Sequence, residues 1–183
     1  MAASIEHSQL PLPRLDSARL LIVVAPYYRQ IADALIAGAR QTALDAGATA
    51  DLVEVPGALE VPTAIALAAS RGLYDGYVAL GCVIRGETTH YDTVCNDSSR
   101  GITLLGLQGH CIGNGILTVE TYEQAEVRAD PATQNKGGGA AAAALHLIAL
   151  TRRFHAQSPR GNAPGTPRDL IRLAGEIDGP RGA

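Results

Sequence analysis

The sequence predicts a three-layer α/β/α fold, in which helices cover both faces of a four-stranded, mainly parallel sheet. Three observations carry this. Strand-like apolar runs alternate four times with segments of helical period, the order that builds a parallel sheet joined by right-handed crossovers. The first run, Leu20–Ala25 (LLIVVA), is continuously apolar and stops at Pro26, as a strand buried on both faces does. The chain of 183 residues is 46% hydrophobic, enough to bury one core. It divides into an extended N-terminal arm over 1–16, one domain over 17–155, and a C-terminal tail over 156–183.

The arm is polar and punctuated by Pro11 and Pro13. Tyr27 and Tyr28 follow the first strand. From about Arg29 to Ala46 the pattern is helical, with Ile31, Leu35 and Ala39 on one face and Gly47 placed for a C-cap. Thr49–Val55 is the second strand and ends in Pro56-Gly57. Pro62 suits the first turn of the next helix, where a missing N–H costs nothing, and that helix stops at Gly72. Tyr77–Val83 is the third strand. It leads through the polar turn Arg85–His90 into a helix from about Tyr91 to Leu107. Cys111–Leu117 is a weaker fourth strand, with Gly113 and Gly115 inside it. Thr121-x-x-Gln124 is a capping-box pattern and opens a short helix to about Arg128. Residues 129–135 read as a loop, and Gly137–Gly139 precede an Ala-rich helix from Ala140 to about Arg153. That helix is apolar nearly all round, which predicts burial in the core or against another subunit. Residues 156–183, rich in Pro, Gly and Arg, read as a disordered tail.

Composition excludes several classes. A formal net charge of −3 gives no nucleic-acid surface. Three cysteines without a CxxC pair fit neither a disulfide framework nor a zinc site, and suit a reducing compartment. No apolar run nears the ~20 residues that span a bilayer. A cytoplasmic location with no membrane partner is the expectation.

In a sheet of this kind ligands bind at the carboxyl ends of the strands. Tyr27, Ala58–Glu60, Arg85–His90 and Asn114 are all expected there. The strand–turn–helix at Leu80–Asn96 is the central feature. A helix that opens after a Gly-containing polar turn presents free N–H groups and its positive dipole end to an anion. Thr88 and Thr89 add hydroxyl donors, and His90 adds a side chain that changes charge near neutral pH. The same residues also serve as ordinary capping residues. Arg128 reads either as a dipole partner at a helix end or as a bidentate phosphate clamp. Lys136 reads as a ligand contact from a Gly-rich loop or as a surface lysine. Tyr27 reads as a stacking platform for a flat heterocycle or as a core ring, and Glu60 as a polyol acceptor or a helix-start residue. The sequence has no GxGxxG after the first strand, which disfavours a dinucleotide site.

Taken together, VPGALEVP at 55–62, ALGCVIRGETTHYDTVCN at 79–96, NGILTVETYEQAEVRA at 114–129 and NKG at 135–137 resemble the 6,7-dimethyl-8-ribityllumazine synthase family, over about Leu20 to Phe154. The resemblance implies a flavodoxin-like fold whose N-terminal arm can join a neighbouring subunit. It implies a transferase of riboflavin biosynthesis that condenses 5-amino-6-(D-ribitylamino)uracil with 3,4-dihydroxy-2-butanone 4-phosphate, releasing phosphate and water, with no cofactor and no metal. By the same resemblance His90 is the proton-transfer residue. Glu87 (through its backbone N–H), Thr88 and Arg128 hold phosphate. Tyr27, Ala58, Leu59, Glu60, Cys82, Val83, Ile84, Asn114 and Lys136 hold the pyrimidine and ribityl chain. The family's sites lie between subunits of a ring. A homopentamer, or an assembly of pentamers, is therefore implied, with Asn114, Arg128 and Lys136 coming from the neighbour and riboflavin synthase as a further partner. Three positions depart from the family's common pattern: Asn114 replaces Phe, Tyr28 replaces Asn, and ADPATQNKG stands at 129–137. Two other readings use the same scaffold, a non-catalytic lumazine- or flavin-binding paralogue and a shell-forming one. A flavodoxin-type electron carrier is disfavoured because aromatics are only 4% of the chain.

Overall fold

The computed structural model describes residues 10–157, so most of the expected arm and nearly all of the expected tail lie outside the described residues. The elements are β1 (Arg19–Val24), α1 (Arg29–Asp45), β2 (Thr49–Glu54), α2 (Glu60–Ala69), β3 (Gly76–Ile84), α3 (His90–Leu107), β4 (Ile112–Val119), α4 (Tyr122–Ala129) and α5 (Lys136–Gln157). The four strands form one sheet in the order β2-β1-β3-β4, parallel throughout.

The strands alternate their side chains between two cores. Leu20, Ile22 and Val24 of β1 face a layer built from α1, α4 and α5, where Ile31, Leu35, Ala39, Ala125 and Leu145 are buried. Leu21 and Val23 face the α2/α3 layer with Val61, Ile65 and Ile102. At about 25 cal/mol per Å² of apolar surface, each fully buried aliphatic side chain contributes roughly 1.5–3 kcal/mol, before the entropy cost of ordering it. Right-handed crossovers explain the layering. The chain steps from β1 outward to β2, so α1 lies on one face. It then returns across β1 to β3 and on to β4, which puts α2 and α3 on the other face. That reversal leaves a crevice between the carboxyl ends of β1 and β3.

Local signals explain most boundaries. The end of α1 is a Schellman motif. Gly47 has φ +79°, its N–H donates to Leu44 O at 2.9 Å, and Ala48 N donates to Ala43 O at 2.9 Å. Pro62 sits in the first turn of α2, and a Cβ on Gly101 of α3 would lie 2.8 Å from the proline ring, so this pair sets how closely α2 and α3 approach. Thr121 caps α4 by accepting from Gln124 N at 3.3 Å. The Gln124 side chain reaches back one residue further than a capping box requires, to Glu120 N at 3.0 Å.

The structure corrects the sequence on the last helix. Gly137–Gly139 do not precede α5. They form its first turn, and α5 continues past Arg153 to Gln157. Asn135, at φ +44°, supplies the start: its side-chain oxygen accepts from Gly138 N at 3.0 Å and its carbonyl accepts from Gly139 N at 2.9 Å. The glycines are there for contact. A Cβ on Gly137 would strike the Leu35 carbonyl, and one on Gly138 would lie 2.7 Å from Thr42 Oγ1, so α5 lies directly on α1. Within one subunit the core takes one side of α5. Ala141, Ala144, Leu145 and Ile148 are buried, but Leu147, Leu150 and Phe154 remain exposed.

Candidate active site

A cavity of about 490 Å³ opens at the β1/β3 crevice. Its size lies within the range of small-molecule sites. Three loops and the end of one strand build it. The β1–α1 loop contributes Tyr27 and Tyr28, whose rings meet edge to face at 5.0 Å and 72°. Tyr27 is 77% exposed, so it is a ring standing in the mouth and not a core ring. The β2–α2 junction contributes Ala58, Leu59 and Glu60. A Cβ on Gly57 would stand 2.9 Å from Glu60 Oε2, so the glycine leaves room for that carboxylate. Cys82, Val83 and Ile84, the last residues of β3, form the floor. Burial pushes the Cys82 thiol up to about 11, which makes it an apolar wall and no nucleophile. Burial also raises the Tyr28 phenol, helped by Tyr27 and Cys82 beside it.

The β3–α3 turn and the start of α3 close the far side with Gly86, Thr88 and His90. His90 is the first residue of α3, which begins one residue earlier than expected, so His90 belongs to the helix's N-terminal end and not to the preceding turn. Thr89 precedes it with no side-chain cap, and the hydrogen bond from His90 N to Thr88 Oγ1 is long, at 3.4 Å. A weakly capped helix start facing a cavity suits an incoming anion. Glu87 is exposed and does not line the cavity, whereas its neighbours Gly86 and Thr88 do.

Asn114, Arg128 and Lys136 are not brought to this cavity. The expectation that Asn114 lies at a strand's carboxyl end is incorrect. β4 continues to Val119, and Asn114 pairs with Ala79 in the amino-terminal half of the strand. It lies on the sheet's open edge, exposed, with its own side chain accepting from Ile116 N at 3.0 Å. The two glycines beside it hid the strand's length. Arg128 folds back along α4, donating to Gln124 O at 3.0 Å. Lys136 is exposed at the start of α5, on a helix and not in a flexible loop.

Sequence reasoning missed Tyr91 and Val94, which also line the cavity. The signal for Val94 was its helical spacing, four residues on from His90 and so on the same face; Tyr91, one residue on, is joined to that stripe as the i, i+3 neighbour of Val94. Arg85, expected at the ligand edge with the rest of its turn, does not line the cavity. It grips Glu120 and Asp92 immediately behind the turn.

Residues 17–152 match the family described as 6,7-dimethyl-8-ribityllumazine synthase. The chain is 55% identical over 168 residues to a protein of that name from Jannaschia sp. (strain CCS1), covering 91% of this chain and 93% of the relative. It is 57% identical over 138 residues to one from Sphingopyxis alaskensis, covering 75% and 97%. It is 52% identical over 137 residues to one from Zymomonas mobilis subsp. mobilis, covering 75% and 99%.

Proposed function

The chain belongs to the 6,7-dimethyl-8-ribityllumazine synthase family, and from that premise we infer its chemistry and the roles of its residues. It is a transferase of riboflavin biosynthesis. It condenses 5-amino-6-(D-ribitylamino)uracil with 3,4-dihydroxy-2-butanone 4-phosphate to 6,7-dimethyl-8-ribityllumazine, with release of phosphate and water. The observation that carries the residue assignment is the convergence of the β1–α1, β2–α2 and β3–α3 loops on one cavity, an aromatic ring on one side and a helix N-terminus on the other.

Tyr27 stacks on the pyrimidine, and the backbone of Cys82–Ile84 holds its polar edge. Ala58 and Leu59 line the ribityl channel, and the Glu60 carboxylate accepts from the polyol hydroxyls. The phosphate of the second substrate lies on the N–H groups of Glu87 and Thr88, where the α3 dipole favours a dianion. His90, beside that turn, moves protons for Schiff-base formation between the pyrimidine amine and the ketone, and for the later loss of water. Binding the two substrates side by side supplies the larger part of the rate, up to about 7–11 kcal/mol in ideal cases.

A second copy completes the site. Arg128, Lys136 and Asn114 stand on surfaces of the subunit away from its own cavity, where a neighbour in a ring can present them. Exposed Leu67 of α2 and Leu104 and Leu107 of α3 support burial of that layer against another copy. A pentamer, or pentamers assembled further, in the cytoplasm is the arrangement proposed. The free thiols of Cys82, Cys95 and Cys111 suit a reducing compartment.

Turnover with both substrates tests this reading, followed by lumazine absorbance and phosphate release. His90→Ala lowers kcat by about 10²-fold or more. Arg128→Ala raises KM for the phosphate substrate about tenfold or more. Wild-type protein that binds the pyrimidine yet forms no lumazine at any pH would sink the assignment.

A further inference from the structure

We propose that Arg85 is a positioning residue that sets the geometry of the phosphate turn from behind. The inference rests on the reading of that turn as the phosphate site. Arg85 follows β3 directly, and its N–H donates to Val119 O at 3.0 Å, extending the β3–β4 pairing to the start of the turn. Its Nε donates to both Glu120 oxygens, at 2.8 and 3.1 Å. Its Nη1 reaches Asp92 Oδ1 at 3.4 Å, and its Cζ lies 4.0 Å from the centre of the Tyr91 ring. One guanidinium therefore grips three places: the end of β4, the first turn of α3, and an aromatic ring that lines the cavity. Gly86–His90 hang between Arg85 and its Asp92 partner. Little else holds them. A Cβ on Gly86 would meet no atom within 4 Å, and the hydrogen bond from His90 N to Thr88 Oγ1 is long at 3.4 Å.

Guanidinium chemistry suits the task. A planar fork with five donors can hold a carboxylate through two bonds, reach a second carboxylate, and stack on a ring. An ammonium cannot do all three. The side chains are exposed enough that the ion pairs add little to stability. The function of the cluster is accordingly sought in where it puts the turn. The cluster also separates two explanations by sign. Glu120 is a negative charge near an anion site, so by charge alone its neutralisation would tighten phosphate binding. As an anchor for Arg85, its loss weakens phosphate binding.

The experiment compares wild type, Arg85→Ala, Arg85→Lys and Glu120→Gln as full-length assembled protein. The readouts are both KM values, competitive inhibition by inorganic phosphate, and Tm. Arg85→Ala is expected to raise the phosphate-substrate KM and the phosphate inhibition constant about tenfold, leaving the pyrimidine KM within about twofold. Glu120→Gln shifts the same two constants in the same direction, and Arg85→Lys recovers them incompletely. Tighter phosphate binding in Glu120→Gln, full recovery in Arg85→Lys, or equal changes in both KM values would each overturn the positioning role. Active wild type that inorganic phosphate does not inhibit would overturn the phosphate assignment, and this inference with it. An inhibited wild type with an unchanged Arg85→Ala overturns the inference alone.

Discussion

Cys82 shows how one residue's surroundings decide its chemistry. A cysteine at the floor of an active-site cavity invites a catalytic reading, but burial holds its thiol up at about 11. The thiolate fraction at neutral pH is therefore about 100-fold below that of an ordinary cysteine. Iodoacetamide labelling of the native protein, followed residue by residue by mass spectrometry, should find Cys82 about 100-fold slower than a free thiol below pH 9. Labelling at the rate of a free thiol would contradict the burial argument. The stability linkage has a defined sign. The unfolded thiol ionises first as pH rises, so the folded state loses stability between about pH 9 and 11, and loses none in acid. The neighbouring site residues depend on geometry. Gly57 makes room for the Glu60 carboxylate, and His90 owes its place beside the anion turn to α3 beginning at that residue. Their types and spacing were legible in the sequence, because turn glycines and helix starts are local signals.

Two glycine-bearing elements are where sequence and structure part. Gly113 and Gly115 make β4 read as weak, and Gly137–Gly139 make the start of α5 read as loop. Both readings follow from the low intrinsic propensity of glycine. In the fold Gly113 and Gly115 of β4 face Ala140 of α5, and Gly137 and Gly138 of α5 face α1. A Cβ on Gly113 would strike the Ala140 carbonyl, one on Gly115 would stand 2.9 Å from Ala140 Cβ, and one on Gly137 would strike Leu35 O. The absence of side chains lets α5 lie on β4 and α1 at backbone distance. The close contact offsets what the glycines cost, about 1 kcal/mol each in a helix. Gly139 differs, since a Cβ there would meet no atom within 4 Å. Gly113→Ala should therefore destabilise the protein by roughly 1–3 kcal/mol or more. Gly139→Ala should stabilise it by about 0.5–1 kcal/mol. Urea or thermal unfolding of the two variants checks both signs, and a neutral Gly113→Ala would show that α5 can move off the sheet freely.

The molecule as a whole has a cavity furnished on three sides, with its expected cations elsewhere on its surface. A ring in which each copy's Arg128 reaches a neighbour's His90 is a heterologous interface, and it makes a test that no monomer site can pass. Assayed with the phosphate substrate well below its KM, His90→Ala and Arg128→Ala assemblies each turn over at about a tenth of the wild-type rate or less. Co-expressed in equal amounts, they should regain about a quarter of wild-type turnover. Half of the subunits keep His90, and each has an even chance of a neighbour that keeps Arg128. No gain in confirmed mixed assemblies would put both residues in one subunit's site, or remove Arg128 from it. The sequence by itself determined the order of strands and helices along the chain, the two-sided burial of β1, and most of the residues that the first three strand ends bring to the cavity. All of these are encoded locally, in periodicity, caps and the residues that follow each strand. The tertiary structure alone decided that the chain reverses between β1 and β3 and so opens the crevice there, that β4 runs on to Val119 and leaves Asn114 on an open edge, and that α5 begins at Lys136. Those are outcomes of register and of backbone-to-backbone approach between segments far apart in the chain, which no local pattern carries.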